Sequence, residues 1–163
     1  LPPSLNWHLA LVGTGPQQPT FDARADALGL SSRITQVGFV EHPEVPRYYS
    51  AFDLVVLPSE TLPTLKEQFG RVIVESLACG TPVLGSSSGE IPRVIEQTGG
   101  GITVPERDAD ALAECLLALA RDPARRATLA ETGRRTVRST FTNGPLATRF
   151  AETIERAVTH PVT

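Results

Sequence analysis

The chain has 163 residues, 40% of them hydrophobic, and carries 15 basic against 18 acidic side chains for a net charge of −3. That is enough chain for a domain with a real core, and the acidic balance offers no basic field for DNA or RNA, so a nucleic-acid partner is excluded. No apolar run approaches the roughly 20 residues of a membrane span, and no stretch reads as a signal peptide.

"WHLALV" (7–12) is a short apolar run closed by "GTGP", which predicts a buried strand ending in a tight turn, with Trp7 in the core. A helical pattern follows over 22–30, with Phe21, Ala25 and Leu28 on one face. "ITQVGFV" (34–40) reads as a second strand. "EHPEVPRYYSAF" (41–52) reads as a short helix with Val45, Tyr48, Tyr49 and Phe52 as its apolar side. "DLVVLP" (53–58) is a continuous apolar run and predicts a fully buried strand. A loop then leads to a helix beginning near Gly70 and ending at Gly80. "TPVLG", "EIPRVIEQ" and "GITV" follow as strand, helix and strand.

The texture changes near residue 108. "DADALAECLLALARD" places Ala and Leu at helical spacing, with Asp at its start and Arg at its end, as the helix dipole favours. Two more helices are expected over 123–141 and 145–158, each opening on a proline. The alternation up to Val104 predicts an α/β, Rossmann-like parallel sheet with helices on both faces, treated as one domain over 1–163 with a helical tail.

Several features read as structural. Cys79 and Cys115 lie far apart without metal spacing and are expected as reduced core thiols of a cytoplasmic protein. "GTG" lacks the third glycine of a dinucleotide fingerprint, because Gln18 stands there. His8, His42 and His160 are scattered, and His8 is expected to pack in its strand. The arginines from Arg121 to Arg138 are expected on a solvated face, paired with acids such as Glu131.

The chemistry concentrates in "KEQFGRVIVESLACGTPVLGSSSGEIP" (66–92). Ligands of open α/β sheets bind beyond the carboxyl ends of the strands. A helix starting near Gly70 offers unpaired N–H groups and a positive dipole end there, and Gly70 lets a ligand approach the backbone. Glu67 precedes that helix and Glu75 lies inside it. Eight helical positions advance about 12 Å, beyond the roughly 5–9.5 Å of hydrolytic carboxylate pairs. Two carboxylates flanking an anion site fit a ligand with phosphate in the middle and hydroxylated rings on either side, the shape of a nucleoside diphosphate sugar. Solvated helix acids are the plain alternative from spacing alone.

"EQFGRVIVE" followed by "SLACGTPVLGSSSGEIP" resembles the E-x7-E signature of retaining, GT-B fold glycosyltransferases of the group 1 (family 4) type. "LALVGTGP", "ITQVGFVEHPEVPRYYSAFDLVVLPS" and "GGGITVPERDADALAECLLAL" are similar to further motifs of that family, in the same order. The resemblance implies that Glu75 binds the ribose hydroxyls. It places Glu67, the catalytic candidate, at hydroxyls of the transferred sugar near the reacting carbon. It gives the backbone of Phe69, Gly70, Arg71 and Val72 the sugar and diphosphate, puts Val40 near the base, and has Gly13 and Gly15 shape the loop beside the phosphates. The implied chemistry is transfer of a hexose from a nucleotide sugar to an acceptor sugar or lipid-linked glycan, with retention, as in polysaccharide biosynthesis. The diphosphate would be stabilised electrostatically, with no metal and no further cofactor. Lipid-linked acceptors would add a peripheral contact at the cytoplasmic face of a membrane.

The match also departs from the family. A strand ending in Gly-Arg and a helix bearing Lys normally open this domain and neutralise the leaving diphosphate, and neither is found; Lys66 is not assigned their role. The opening Leu-Pro-Pro without methionine predicts a piece of a longer protein. The absent strand would be the central one, so a sheet with a gap, or one filled by a neighbour, is expected, with the acceptor-binding N-terminal domain missing and the chain inactive alone. Ser88 stands where the family commonly has glycine. A GT-B-like nucleotide-sugar epimerase and a non-catalytic nucleotide-binding or structural domain are the alternatives.

Overall fold

A computed structural model describes residues 1–2, 4–63 and 67–159, with the side chains of 157 and 158 left aside. Lys66 and His160 lie outside the described residues. The chain divides into two compact units, Leu1–Arg47 and Tyr48–Thr163.

In the first unit, β1 (Leu9–Val12) pairs in parallel with β2 (Ile34–Gly38), Leu9 opposite Ile34. Between them runs α1 (Gln18–Ala27), followed by a 3-10 turn at Ser31–Arg33. The helix starts four residues before the expected Asp22, because Pro19 at its first turn has the backbone torsion a helix start needs. Of its expected apolar face, Ala25 is buried, whereas Leu28 falls past the helix end and is 54% exposed. The β1 strand is half-buried rather than buried. Trp7 precedes it and is half-buried under the Arg33 guanidinium, 5.2 Å from the ring centroid, so it is not core. His8 is likewise exposed and outside the strand, its Nε2 2.8 Å from Thr35 Oγ1.

A 3-10 turn at His42–Glu44 leads into α2 (Val45–Ala51), which carries the unit boundary. The second unit holds β3 (Val55–Leu57), β4 (Val83–Ser86) and β5 (Gly101–Val104) in the order β3-β4-β5, all parallel. Its helices are α3 (Arg71–Ala78), α4 (Ile91–Thr98), α5 (Ala109–Arg121), α6 (Pro123–Thr140) and α7 (Asn143–Thr159). The strands thus form two separate sheets.

Alternation along β4 shows why both faces of the second sheet are covered. Val83 joins a cluster with Val55 of β3 and with Ile73, Leu77, Ile91, Val94, Ile95 and Val137, from α3, α4 and α6. Its neighbour Leu84 points the other way, to Val104 and Leu119, with Ile102, Leu112 and Leu116 packed around them. Val55 is buried as expected of β3, but Val56 and Leu57 are only half-buried. Gly133 lets α6 approach closely: a Cβ there would lie 2.5 Å from a Leu77 methyl and 2.7 Å from the Gly100 Cα.

The helical tail begins as expected, with the Asp108 carboxylate accepting the Ala111 N–H at 2.9 Å and capping α5. Pro123 opens α6, but α7 begins at Asn143, ahead of Pro145. Arg126 departs from the solvated face: its side chain is 19% exposed, donates to the carbonyls of Leu119 and Ala120 at the end of α5, and sits 3.7 Å from Asp53. Among the described residues that is the ion pair this arginine run makes, in place of the expected pairing with Glu131. Both cysteines are free thiols, half-buried rather than core. Burial pushes the Cys115 thiol up. No helix among the described residues is long and apolar enough to cross a membrane.

Candidate functional site

Helix α3 is short and strongly sided. Ile73, Ser76 and Leu77 are buried at helical spacing, which turns Arg71 and Glu75 outward on the opposite face. Its N-cap is Gly70, at φ +69 and ψ 48. This left-handed conformation suits glycine, and a Cβ there would also stand 2.8 Å from Ile73 Cδ1. Having no side chain, Gly70 cannot cap the helix, and Glu67 does so instead. One Glu67 carboxylate oxygen accepts the N–H of Gly70 at 2.9 Å and that of Phe69 at 3.4 Å.

Of the four first-turn donors of any helix, Gly70 N–H goes to Glu67 and Ile73 N–H to the Gly70 carbonyl at 2.8 Å. Arg71 and Val72 supply the remaining two N–H groups. The expected backbone ligands therefore separate into a pair bound by Glu67 and a pair, Arg71 and Val72, in the first turn of the helix, where N–H groups have no intrahelical acceptor. The Phe69 ring, 42% exposed, leans on Phe141 at 6.3 Å between centroids.

Glu67 is held by its backbone as well. Its carbonyl accepts the Glu90 N–H at 3.1 Å, and Gly89 lies so close that a Cβ there would be 2.1 Å from that oxygen. Gly89 also has φ +57, so the turn after β4 presses on Glu67 in a form that only glycine takes readily. That turn is laced to the loops after the other strands. Ser88, buried, shares a hydrogen bond with Thr61 at 3.0 Å, and Thr61 N–H donates to Glu106 at 2.6 Å. Ser88 in place of the family's glycine thus gains a partner for its hydroxyl. Arg107, at φ 63, donates to Glu60 at 3.2 Å. A cavity of about 460 Å³ opens beside this lacing, lined by Glu60, Ser86 and Arg107 among others, but none of the candidate site residues lines it.

Glu75 receives two partners. Arg71 donates to one carboxylate oxygen at 3.1 Å, one turn earlier on the same helix. The Tyr49 hydroxyl donates to the other at 3.4 Å. Burial of Tyr49, and then the Glu75 charge and the bond to it, push that hydroxyl up to about 12. The sequence places Tyr49 on the apolar side of its helix, yet its contact with Glu75 spans 26 residues of sequence and only the fold reveals it. Gly89 and Phe141 were missed in the same way.

Gly13, Gly15 and Val40 belong to the first unit. Gly13 has φ +110 and donates its N–H to the Gly38 carbonyl at 2.7 Å, which closes the turn after β1 onto the end of β2. Gly15 accepts the Gln18 N–H at 3.1 Å at the start of α1. Val40 lies half-buried two residues beyond β2. Among the described residues, no group of three His, Cys, Asp or Glu side chains could hold a metal ion.

Residues 3–136 match the family described as glycosyl transferases group 1. The chain is 33% identical over 152 residues to the 2-deoxystreptamine N-acetyl-D-glucosaminyltransferase of Streptomyces fradiae, covering 93% of this chain and 33% of that protein. Among solved structures it resembles sucrose-phosphate synthase from Thermosynechococcus elongatus, with a TM-score of 0.78 at 31% identity, over 93% of this chain and 39% of that one. It also resembles Anabaena HepE in complex with UDP, with a TM-score of 0.80 at 28% identity, over 94% and 42%. The chain spans between 24% and 38% of the length of the curated relatives it matches. The match over residues 3–136 and these likenesses show that the chain belongs to the glycosyl transferases group 1 family, and its parallel strands flanked by helices form the α/β, Rossmann-like fold of a C-terminal GT-B half.

Proposed function

We propose that this chain is the donor-binding half of a retaining hexosyltransferase, of the family 4 type, that moves a sugar from a nucleoside diphosphate to an acceptor hydroxyl. The observation that carries this reading is the layout of α3. Its first turn carries the Arg71 and Val72 N–H groups, which have no acceptor within the helix, with the carboxylate of Glu67 at the tip and that of Glu75 one turn along. The N–H groups and the helix dipole suit a diphosphate. Glu75 accepts the ribose hydroxyls, and Glu67 accepts hydroxyls of the sugar on the far side of the phosphates. Preorganised donors of this kind stabilise charge as it develops on the leaving diphosphate, so no metal is required. The UDP held by HepE supports a nucleotide ligand. The acceptor sugar or lipid-linked glycan would meet this half from the N-terminal half of the enzyme, at the cytoplasmic face of a membrane when the acceptor carries a lipid.

Calorimetric titration of the intact enzyme with UDP, GDP and ADP tests the reading. One nucleotide should bind, and Glu75→Ala should weaken it about tenfold or more, the loss expected when hydroxyl hydrogen bonds to a carboxylate disappear. Absence of binding by all three nucleotides would refute the donor site and leave a structural domain as the better account.

A further inference from the structure

We infer that Tyr49 is a positioning residue for the ribose site: its hydroxyl holds one oxygen of Glu75 so that the carboxylate faces a nucleotide's ribose diol. The inference rests on the donor-site reading above and adds to it a residue that acts through Glu75.

Three observations carry it. The first is the division of labour on Glu75. Arg71 reaches one oxygen with a side chain that is 72% exposed, and such a surface ion pair exchanges readily with water or ligand. Tyr49 reaches the other oxygen from a half-buried position. The second is that Tyr49 itself is tied down. Its carbonyl accepts the Thr81 hydroxyl at 2.6 Å, and buried Thr81 is bound in turn to the end of α3, through its N–H to the Ser76 carbonyl at 3.0 Å and its carbonyl to the Ser76 hydroxyl at 2.8 Å. The Tyr49 ring packs on the cluster of Ile73 and Leu77. Tyr49 is therefore fixed by its backbone to the C-terminal end of the helix that carries Glu75 and by its side chain to that helix's buried face. The third is protonation: a phenol with its pKa pushed up to about 12 stays a donor across the working range.

A carboxylate has about four lone-pair sites. With one oxygen anchored by Tyr49, the other can exchange the exposed Arg71 for a ribose hydroxyl. An unanchored Glu75 would lose rotamer freedom only on binding, and the ligand would bear that cost.

The test compares Tyr49→Phe with the intact wild-type enzyme. Phenylalanine keeps the ring packing and the backbone bond to Thr81. Whichever of UDP, GDP and ADP binds is titrated beside its 2′,3′-dideoxy counterpart. Tyr49→Phe should weaken the ribonucleotide about three- to tenfold and leave the dideoxy nucleotide unchanged. In the Glu75→Ala background, Tyr49→Phe should add no further loss, since the two residues act as a pair. Equal losses for both nucleotides would show a general packing role and overturn the inference. Loss of ribonucleotide binding in Glu75→Ala but not in Tyr49→Phe would overturn it while leaving the donor site standing. Failure of the wild type to bind any of the three would overturn both.

Discussion

The two units use the same β-α-β grammar and reach very different interiors. In Leu1–Arg47, a two-stranded sheet and one helix bury a single apolar side chain completely enough to count as core, Ala25, among the described residues. In Tyr48–Thr163, three strands are covered on both faces, and Ile73, Leu77, Val83, Leu84, Ile91, Val94 and Leu119 are all fully buried. Two strands have too little shared surface to close a core, whereas a third strand gives each face of the sheet a floor on which helices pack. The carboxylates of the candidate site stand on the well-packed unit. Positioning of this kind needs side chains that are themselves held by packing, so the rigid unit is the physically reasonable host.

The sharpest way to break this comparison is to remove Leu77, which touches both α6 through Gly133 and the start of β5 through Gly100. Leu77→Ala should lower the unfolding free energy by about 2–5 kcal/mol, through lost burial and the cavity left behind. Ala25→Gly in the first unit should cost about 1 kcal/mol, the usual helix penalty. Urea midpoints measure both, and equal costs would erase the difference between the two interiors.

A smaller effect is expected at the turn that holds Glu67. Gly89→Ala places a methyl against the Glu67 carbonyl and a β-carbon at positive φ, which should destabilise the protein by about 1–3 kcal/mol. It should also shift Glu67 away from the start of α3, visible in a crystal structure of the variant. A variant with wild-type melting temperature and Glu67 in place would show that this turn does not position the carboxylate.

The smallest effect on stability comes from Tyr49. Its folded pKa of about 12 lies above the ordinary value near 10, so the folded protein binds that proton more tightly than the unfolded chain. The stabilisation is fully present below about pH 10 and is lost as pH rises through about 12. Phenolate absorbance should show a transition near pH 12 that Tyr49→Phe abolishes and Glu75→Gln moves downward, because the neighbouring charge is removed. A transition indifferent to Glu75 would mean that the two side chains do not share a local field.

Much of this was legible in the sequence for local reasons. Runs and periodicities of apolar residues placed the five strands and seven α-helices found among the described residues. Gly70 and Gly80 bracketed α3 because a helix end needs a residue that accepts unusual backbone torsions, and Asp108 announced α5 because a carboxylate satisfies orphan N–H groups. The errors arose where burial depends on neighbours. Trp7 and Leu28 looked like core residues but lie on a unit with little core to enter, and Arg126 looked solvated but folds back onto the end of α5.

The sequence by itself determined the family, the order of the elements and the two glutamates that flank the start of α3, since each of these is written in spacing and residue type along one stretch of chain. Tertiary structure alone decided what those glutamates touch. Tyr49 on Glu75, Gly89 against Glu67 and Phe141 beside Phe69 join residues far apart in the chain, and no local rule encodes such pairs. They exist because strands of a parallel sheet end together, and the loops that follow them must share the same few ångströms of space.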